Sequence, residues 1–203
     1  MREDNKDNGQ PKDGELVLKA QKGDPQSFGV LVKRYERKIY ALTYRIMGNR
    51  DDASDALQET FLQAYKKIGT FEGKSGFSTW LYRIAVNTCL MKKRKKKLDT
   101  VSTDRPVKMD GGEEINREPV DWSNDPMATI DNKEVKKKLD EAIAQMPEEF
   151  RTVVLLRDVD RLSSKAVADI LNISIPNVKS RLHRGRLFLR RKLSEYFRSR
   201  GEL

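Results

Sequence analysis

The chain has 203 residues, 37% hydrophobic and 35% charged, and carries a net charge of +10. That length allows one medium domain or two small ones, and the basic excess favours an anionic partner, either nucleic acid or an anionic membrane surface. A single cysteine and a single histidine exclude an intrachain disulfide and a Cys/His zinc site within one chain.

No segment of the sequence is suited to membrane insertion. The apolar runs are shorter than the ~20 residues that span a bilayer, and the polar start MREDNKDNGQ is unlike a signal peptide. We therefore expect a cytoplasmic protein.

The first basic block, residues 13–98, follows a tail at residues 1–12 that we expect to be disordered. The block has a net charge of +9, and its apolar residues at helical spacing predict four helices. The first helix ends at Gly23. The second has Pro25 in its opening turn and a stop signal at Gly48-Asn49.

The third and fourth predicted helices each carry an apolar stripe. Acidic residues crowd the start of the third, where the helix dipole favours them. Its stripe comprises Ala53, Leu57, Phe61, Ala64 and Ile68. The fourth follows the glycine-rich loop GTFEGKSG and ends in six consecutive basic residues, 92–97. Its stripe comprises Phe77, Trp80, Leu81, Ile84, Ala85 and Thr88. Cys89 lies toward the buried side, as a small apolar filler.

An acidic connector, residues 99–127, separates this block from a second basic block, residues 128–203. The connector has a net charge of −5, no periodicity, and five glycines and prolines, so it predicts a flexible or partly extended linker. Trp122 is its one aromatic residue, and such a residue more often anchors a linker on a neighbouring surface than marks a domain.

The second basic block also predicts four helices, and the last two have helix-turn-helix spacing. Pro147 opens one helix, and Ser163 and Ser174 are natural N-caps. Ala168 is small enough for a close helix crossing. Asn172 falls where the turn needs a left-handed backbone, which asparagine tolerates next best after glycine.

The last helix divides into an apolar back and a polar front at 100° per residue. The back comprises Val178, Leu182, Gly185 and Leu189. The front comprises Ser180, His183 and Arg184, and the flanks Lys179, Arg181 and Arg186. This is the division that a DNA-recognition helix needs, although an ordinary amphipathic helix with a solvated basic face is the alternative.

No catalytic constellation occurs in the sequence. There is no GxxxxGK[ST] phosphate loop, and a single histidine excludes HExxH. Asp51, Asp52 and Asp55 could hold a metal, but the start of a helix accounts for them more simply. We therefore predict a protein that is not an enzyme and binds no cofactor.

Two long motifs resemble the domains of bacterial extracytoplasmic-function (ECF) sigma factors, RNA polymerase subunits of the sigma-70 family. DALQETFLQAYKKIGTFEGKSG followed by FSTWLYRIAVNTCLMKKRKKK resembles their promoter-melting domain, and MPEEFRTVVLLRDVDRLSSKAVADILNISIPNVKSRLHRGR resembles their second domain. The resemblance implies sigma region 2 at 13–98 and region 4 at 128–203, two small all-α domains joined by the acidic linker.

By this resemblance the chain would bind core RNA polymerase and direct transcription initiation at specific promoters. The helix at 51–68 would dock on the coiled-coil clamp of the largest subunit, and the flap region would be a further contact. The matching residues are Asp55, Gln58, Glu59 and Leu62. Without the resemblance, the acidic residues would be interpreted as a solvated helix face.

The resemblance further implies that the glycine-rich loop and the helix after it read the −10 element on the melted non-template strand. Asn87 matches the position that reads a flipped base, and an amide offers a donor and an acceptor to a base edge. The matching residues are Phe71, Lys74, Ser75, Arg83, Asn87, Lys92, Lys93 and Arg94. Trp80 is interpreted as core, and Tyr82, off the stripe, is the better candidate for base stacking.

The helix-turn-helix would read the duplex −35 element in the major groove. The candidate residues are Lys179, Ser180, Arg181, His183, Arg184 and Arg186. Arg184 and Lys179 suit guanine edges, whereas His183 would either hydrogen-bond a base or line the groove.

The remaining implied partner is an anti-sigma factor, often one that senses envelope stress. Two alternative functions stay open. A helix-turn-helix regulator without polymerase leaves the first block unexplained. A basic RNA-binding or structural protein using residues 92–97 leaves the groove-facing division of the last helix unexplained.

Overall fold

The computed structural model describes residues 11–102 and 133–199, and every regular element in those ranges is helical. The first range contains α1 (Asp13–Gln21), α2 (Pro25–Met47), α3 (Arg50–Lys67) and α4 (Phe77–Ser102), with a 3-10 turn at Ile68–Thr70. The second contains α5 (Lys133–Gln145), α6 (Glu148–Val154), α7 (Ser164–Leu171) and α8 (Ile175–Ser199), with a π-helical turn at Leu155–Val159. The predicted all-α class, with four helices on each side of the connector, is confirmed.

Most of the predicted tail and of the predicted linker, including Trp122, lies outside the described residues. At the first boundary, the Pro11 carbonyl accepts a hydrogen bond from Arg34 at 2.9 Å. At the second, α4 continues through Ser102, beyond the predicted start of the linker at Asp99. The helix continues because residues 98–102 contain neither glycine nor proline.

The predicted helix boundaries in the first half are confirmed by their capping geometry. The Asp24 carboxylate accepts hydrogen bonds from the Gln26 amide at 3.0 Å and the Ser27 hydroxyl at 2.6 Å, and these bonds lower the pKa of Asp24. Gly48 ends α2 with φ of 87°, a left-handed conformation that glycine adopts without steric cost. Asn49 then caps α3 by accepting from the Asp52 amide at 2.8 Å.

Helix α3 is buried along a line of small residues. Ala53, Ala56, Thr60 and Ala64 form that line. The predicted stripe differs from it, because Leu57 and Phe61 are only partly buried at its edge. Small side chains let α3 approach α2 and α4 closely, so the larger apolar residues of α3 are displaced toward its margins.

In the second half α5, α6 and α7 pack against α8, and α7 and α8 form the helix-turn-helix. The Ser163 hydroxyl accepts from the Ala166 amide at 3.1 Å, and the Ser174 hydroxyl from the Asn177 amide at 3.3 Å. Both predicted N-caps are therefore confirmed. Asn172 adopts the predicted left-handed conformation, with φ of 51° and ψ of 48°.

Helix α4 contacts both halves, since it packs against α2 and α3 and also against α7. Two polar contacts accompany this packing. Lys93 Nζ lies 2.8 Å from Glu148 Oε2 on α6, and the Tyr82 hydroxyl is hydrogen-bonded to Asp160.

Candidate polymerase and promoter-DNA interfaces

The four residues predicted to bind polymerase lie together on α3. Asp55, Gln58 and Leu62 are exposed and Glu59 is partly exposed, and with Lys92 of α4 they line one open groove. The Glu59 carboxylate accepts a hydrogen bond from Gln63 at 2.9 Å. The groove therefore offers carboxylates, an amide and an apolar side chain to a partner.

Lys92, which the sequence predicted among the −10 residues, lines this groove. Its ammonium lies 3.8 Å from Asp55 Oδ2. Lys96, one turn further along α4, lies 3.1 Å from Asp52 Oδ2. Hydrogen bonds from the Asn49 amide and from Lys96 hold the pKa of Asp52 below its usual range.

Two carboxylates in the first turns of α3, Asp52 and Asp55, are thus paired with lysines of α4. Among the described residues, no group of histidine, cysteine, aspartate and glutamate side chains comes together in a way that would hold a metal ion. None of the described helices combines the length and the apolar character needed to cross a membrane.

The loop predicted to read the −10 element starts on an aromatic cluster. The Phe71 ring lies 5.1 Å from the Trp80 ring and 6.1 Å from the Phe77 ring, measured between centroids. Beyond it, Gly73 is left-handed with φ of 70°, Lys74 is exposed and ion-paired with Glu72, and Ser75 is partly exposed. Trp80 packs against the core, as predicted.

One exposed face of α4 carries the central −10 candidates. Arg83, Asn87 and Arg94 are exposed, and at 100° per residue they lie within about 40° of one another. Along the helix, Arg83 and Arg94 place a cation on each side of the Asn87 amide, an arrangement that would suit the phosphates of a single strand.

A second face of α4, turned toward the other half of the molecule, carries Tyr82 and Lys93. Tyr82 is 3% exposed, so the prediction that it stacks on a base is wrong. Burial and the nearby Asp160 carboxylate raise the pKa of Tyr82. Lys93, predicted to track phosphates, is ion-paired with Glu148 in the free chain.

Cys89 of α4 is fully buried, as predicted. Burial raises the pKa of its thiol to about 12, so the side chain remains a neutral apolar filler at neutral pH.

The predicted division of α8 is present. Lys179, Ser180, His183 and Arg184 are exposed. Val178, Leu182 and Gly185 are buried on the opposite side. The packing there is tight, because a Cβ atom added to Gly185 would lie 2.6 Å from Val154 Cγ2.

The two flanking arginines of α8 are paired with carboxylates from α6 and the π-helical turn. Arg186 makes a two-point contact with Asp158, with Nε to Oδ2 at 2.9 Å and Nη2 to Oδ1 at 2.6 Å. That contact raises the pKa of Arg186. Arg181 Nη2 lies 3.4 Å from Glu149 Oε2. The sequence predicted both arginines as DNA contacts but not their partners.

Comparison with known proteins places both halves in one family. The sigma-70 region 2 model matches residues 31–98, and the sigma-70 region 4 model matches residues 136–189. The ECF RNA polymerase sigma factor SigW of Bacillus subtilis is 37% identical over 179 residues, which cover 88% of this chain and 95% of that protein. The ECF RNA polymerase sigma-E factor of Haemophilus influenzae is 34% identical, covering 89% of this chain and 95% of that protein.

Two solved structures share the fold. CnrH in complex with the cytosolic domain of CnrY matches with a TM-score of 0.64 at 21% identity, covering 90% of this chain and 97% of that one. The sigma factor RpoE in complex with the anti-sigma factor NepR, from Bartonella quintana, matches with a TM-score of 0.65 at 20% identity, covering 83% and 98%.

The fold and the two matched regions define a helical transcription initiation factor. The chain belongs to the extracytoplasmic-function sigma factors of the sigma-70 family.

Proposed function

We propose that this sigma factor binds core RNA polymerase through the α3 groove and reads a promoter at two places. The exposed face of α4 takes the melted non-template strand of the −10 element, and the front of α8 takes the duplex −35 element. The observation that carries the proposal is the presence of both polar faces in one chain, each outside the buried core of its own half.

The proposed domain limits are region 2 at residues 13–98 and region 4 at residues 128–203, and the family matches at 31–98 and 136–189 fall within them. The protein acts in the cytoplasm, where the polymerase is. It supplies promoter choice to that enzyme and has no catalytic role of its own.

Control by an anti-sigma factor is part of the proposal. One protein with the same fold was solved with an anti-sigma factor. The binding faces of α3, α4 and α8 are exposed in this chain, so an inhibitor that covers them would block polymerase and promoter together.

The two alternative functions are less well supported. A regulator that binds only duplex DNA leaves the α3 groove without a role. An RNA-binding protein that uses residues 92–97 needs a continuous basic surface, whereas Lys92, Lys93 and Lys96 are directed to carboxylates on different elements.

The test is in-vitro transcription with purified core polymerase and a fragmented bacterial genomic library, with and without the protein. New RNA 5′ ends that appear only with the protein, and share upstream −35 and −10 motifs, are the expected result. If no new starts appear and the protein fails to bind core polymerase, the duplex-binding regulator becomes the better account.

Asn87→Ala tests the reading of a flipped base. We expect promoter opening, followed with a fluorescent base analogue, to fall well below that of the unmodified protein, while binding of a −35 duplex stays unchanged. The reason is that the amide meets a base only after the strands separate. Equal losses in both measurements would refute the assignment.

Arg184→Ala tests base reading in the major groove. If the guanidinium pairs with a guanine edge, its loss costs about 1–3 kcal/mol on the cognate sequence and relaxes discrimination at that base pair. Arg190→Ala, at an exposed position further along α8, removes the same charge and serves as the control. An equal loss on all sequences would reduce Arg184 to a phosphate contact.

A further inference from the structure

Helix α1 lies outside the matched region at residues 31–98, yet both of its ends are tied to elements within it. At its start, the Asp13 carboxylate accepts hydrogen bonds from Arg34 and from the Tyr35 hydroxyl on α2. Leu16, Val17 and Ala20 are buried along its length. The helix is therefore fixed against the core by its buried side chains and by the hydrogen bonds at its start.

At the other end of α1, Gln21 reaches the loop that precedes α4. Its side-chain amide donates to the Ile68 carbonyl at 3.0 Å and to the Phe71 carbonyl at 2.8 Å. These carbonyls lie at the first residue of the 3-10 turn after α3 and at the residue that follows the turn, and the Ile68 carbonyl also accepts from the Phe71 amide at 3.1 Å. One side chain thus fixes two points of the backbone.

The two carbonyls bracket the start of the loop. Ile68 is buried, and the Phe71 ring rests on Trp80 and Phe77 at the beginning of α4. Residues 72–74 follow directly and are exposed, with Gly73 in a left-handed conformation. The path of this exposed segment is set by the backbone at Phe71, which Gln21 holds from one side and the aromatic cluster from the other.

We propose that Gln21 is a positioning residue for −10 recognition, which holds the loop at residues 72–76 in the conformation that receives an extruded base. The inference rests on the proposed function of this loop and of Asn87. Gln21 contacts no nucleotide itself. It acts by ordering the loop before DNA arrives. The conformational entropy of the loop is then not lost on binding and does not weaken the affinity.

The experiment uses holoenzyme reconstituted from core polymerase and the full chain carrying Gln21→Met. Methionine keeps the length and bulk of glutamine and removes both donors. Gln26→Met, the same change at an exposed position at the start of α2, is the control. The probes are a labelled non-template −10 strand from a promoter mapped by in-vitro transcription, the same strand with one base replaced, and the −35 duplex.

We expect Gln21→Met to weaken binding of the −10 strand by about fivefold and to reduce discrimination against the replaced base, with −35 binding within about twofold of the unmodified protein. Amide hydrogen exchange in residues 69–76 should accelerate in the same variant and not in Gln26→Met. A residue that only stabilises the fold would leave base discrimination unchanged.

Three results would overturn the proposal. Binding and discrimination equal to those of Gln26→Met would show that the loop does not need the two hydrogen bonds. Equal losses on the −10 strand and the −35 duplex would show a general folding defect. Failure of the unmodified holoenzyme to bind the −10 strand would refute the proposed function itself, whereas the first two results would refute only the role of Gln21.

Discussion

Gly185 shows how one residue sets the distance between two helices. A Cβ atom there would lie 2.6 Å from Val154 Cγ2 and 3.4 Å from Met146 Sδ, and both of these residues are buried. Glycine inside a helix usually lowers the free energy of unfolding by roughly 0.5–1 kcal/mol relative to alanine. In α8 the missing methyl group is what allows the recognition helix to approach α6.

We expect Gly185→Ala to lower the free energy of unfolding by about 1–2 kcal/mol, because overpacking costs about 1–3 kcal/mol and the gain in helix propensity offsets only part of it. Gly29→Ala in α2 is the matched control, since nothing lies within 4 Å of the Cβ it would add. That change should raise stability by about 0.5–1 kcal/mol. Urea denaturation measures both, and the same sign for the two variants would contradict the packing argument.

Cations on the recognition helix differ in availability although they follow one another closely. Lys179 and Arg184 are exposed, whereas Arg181 and Arg186 face carboxylates of α6 and of the π-helical turn. An exposed ion pair is worth only about 0–1 kcal/mol, so a phosphate can compete for these arginines. If α8 binds DNA as proposed, Glu149 of α6 and Asp158 of the π-helical turn would limit how much positive charge it offers.

Asp158→Asn tests this limit at the level of the helix pair. The substitution should release Arg186 to contact one additional phosphate. The slope of log K against log[salt] for binding of the −35 duplex should then become steeper by about 0.9. Asp169→Asn, at an exposed position on α7, makes the same change in net charge and should leave that slope unaltered. An unchanged slope in Asp158→Asn would mean that the released Arg186 gains no phosphate contact, and a shallower slope would mean that the carboxylate orients Arg186 toward DNA.

At the scale of the whole molecule, α4 connects the two halves. One of its faces packs into the first half, another carries Tyr82 and Lys93 toward the second, and a third leaves Arg83 and Asn87 exposed. The candidate −10 helix is consequently also the helix on which the −35 domain packs.

Reversing one charge at this contact tests the packing of the two halves. Lys93→Glu places like charges where the 2.8 Å pair with Glu148 lies, and we expect the radius of gyration of the free chain, measured by small-angle X-ray scattering, to increase. Because the pair is partly exposed, the ratio of chains with packed halves to chains with separated halves should change by no more than about fivefold. The swapped variant Lys93→Glu with Glu148→Lys should restore the smaller radius; a radius unchanged by Lys93→Glu would exclude a contribution from the pair.

Much of the fold and of the candidate site was predictable because the deciding interactions are local. Gly48, Asn49, Ser163 and Ser174 act on backbone groups within a few residues of themselves, and Asn172 needs only its own left-handed backbone. The two-sided character of α8 is likewise a matter of helical periodicity. Sequence alone therefore determined the helix order, the helix-turn-helix and the exposed candidates on α4 and α8.

Tertiary structure decided which side chains have partners. Residues 92–97 read as one basic run, yet packing sends Lys92 to Asp55 and Lys93 to Glu148. Tyr82 lies off the apolar stripe of its helix but is covered through the contact with the second half. Gln21 bonds to carbonyls 47 and 50 residues away. Contacts at such separations depend on how whole helices pack, and the periodicity of a single helix carries no information about them.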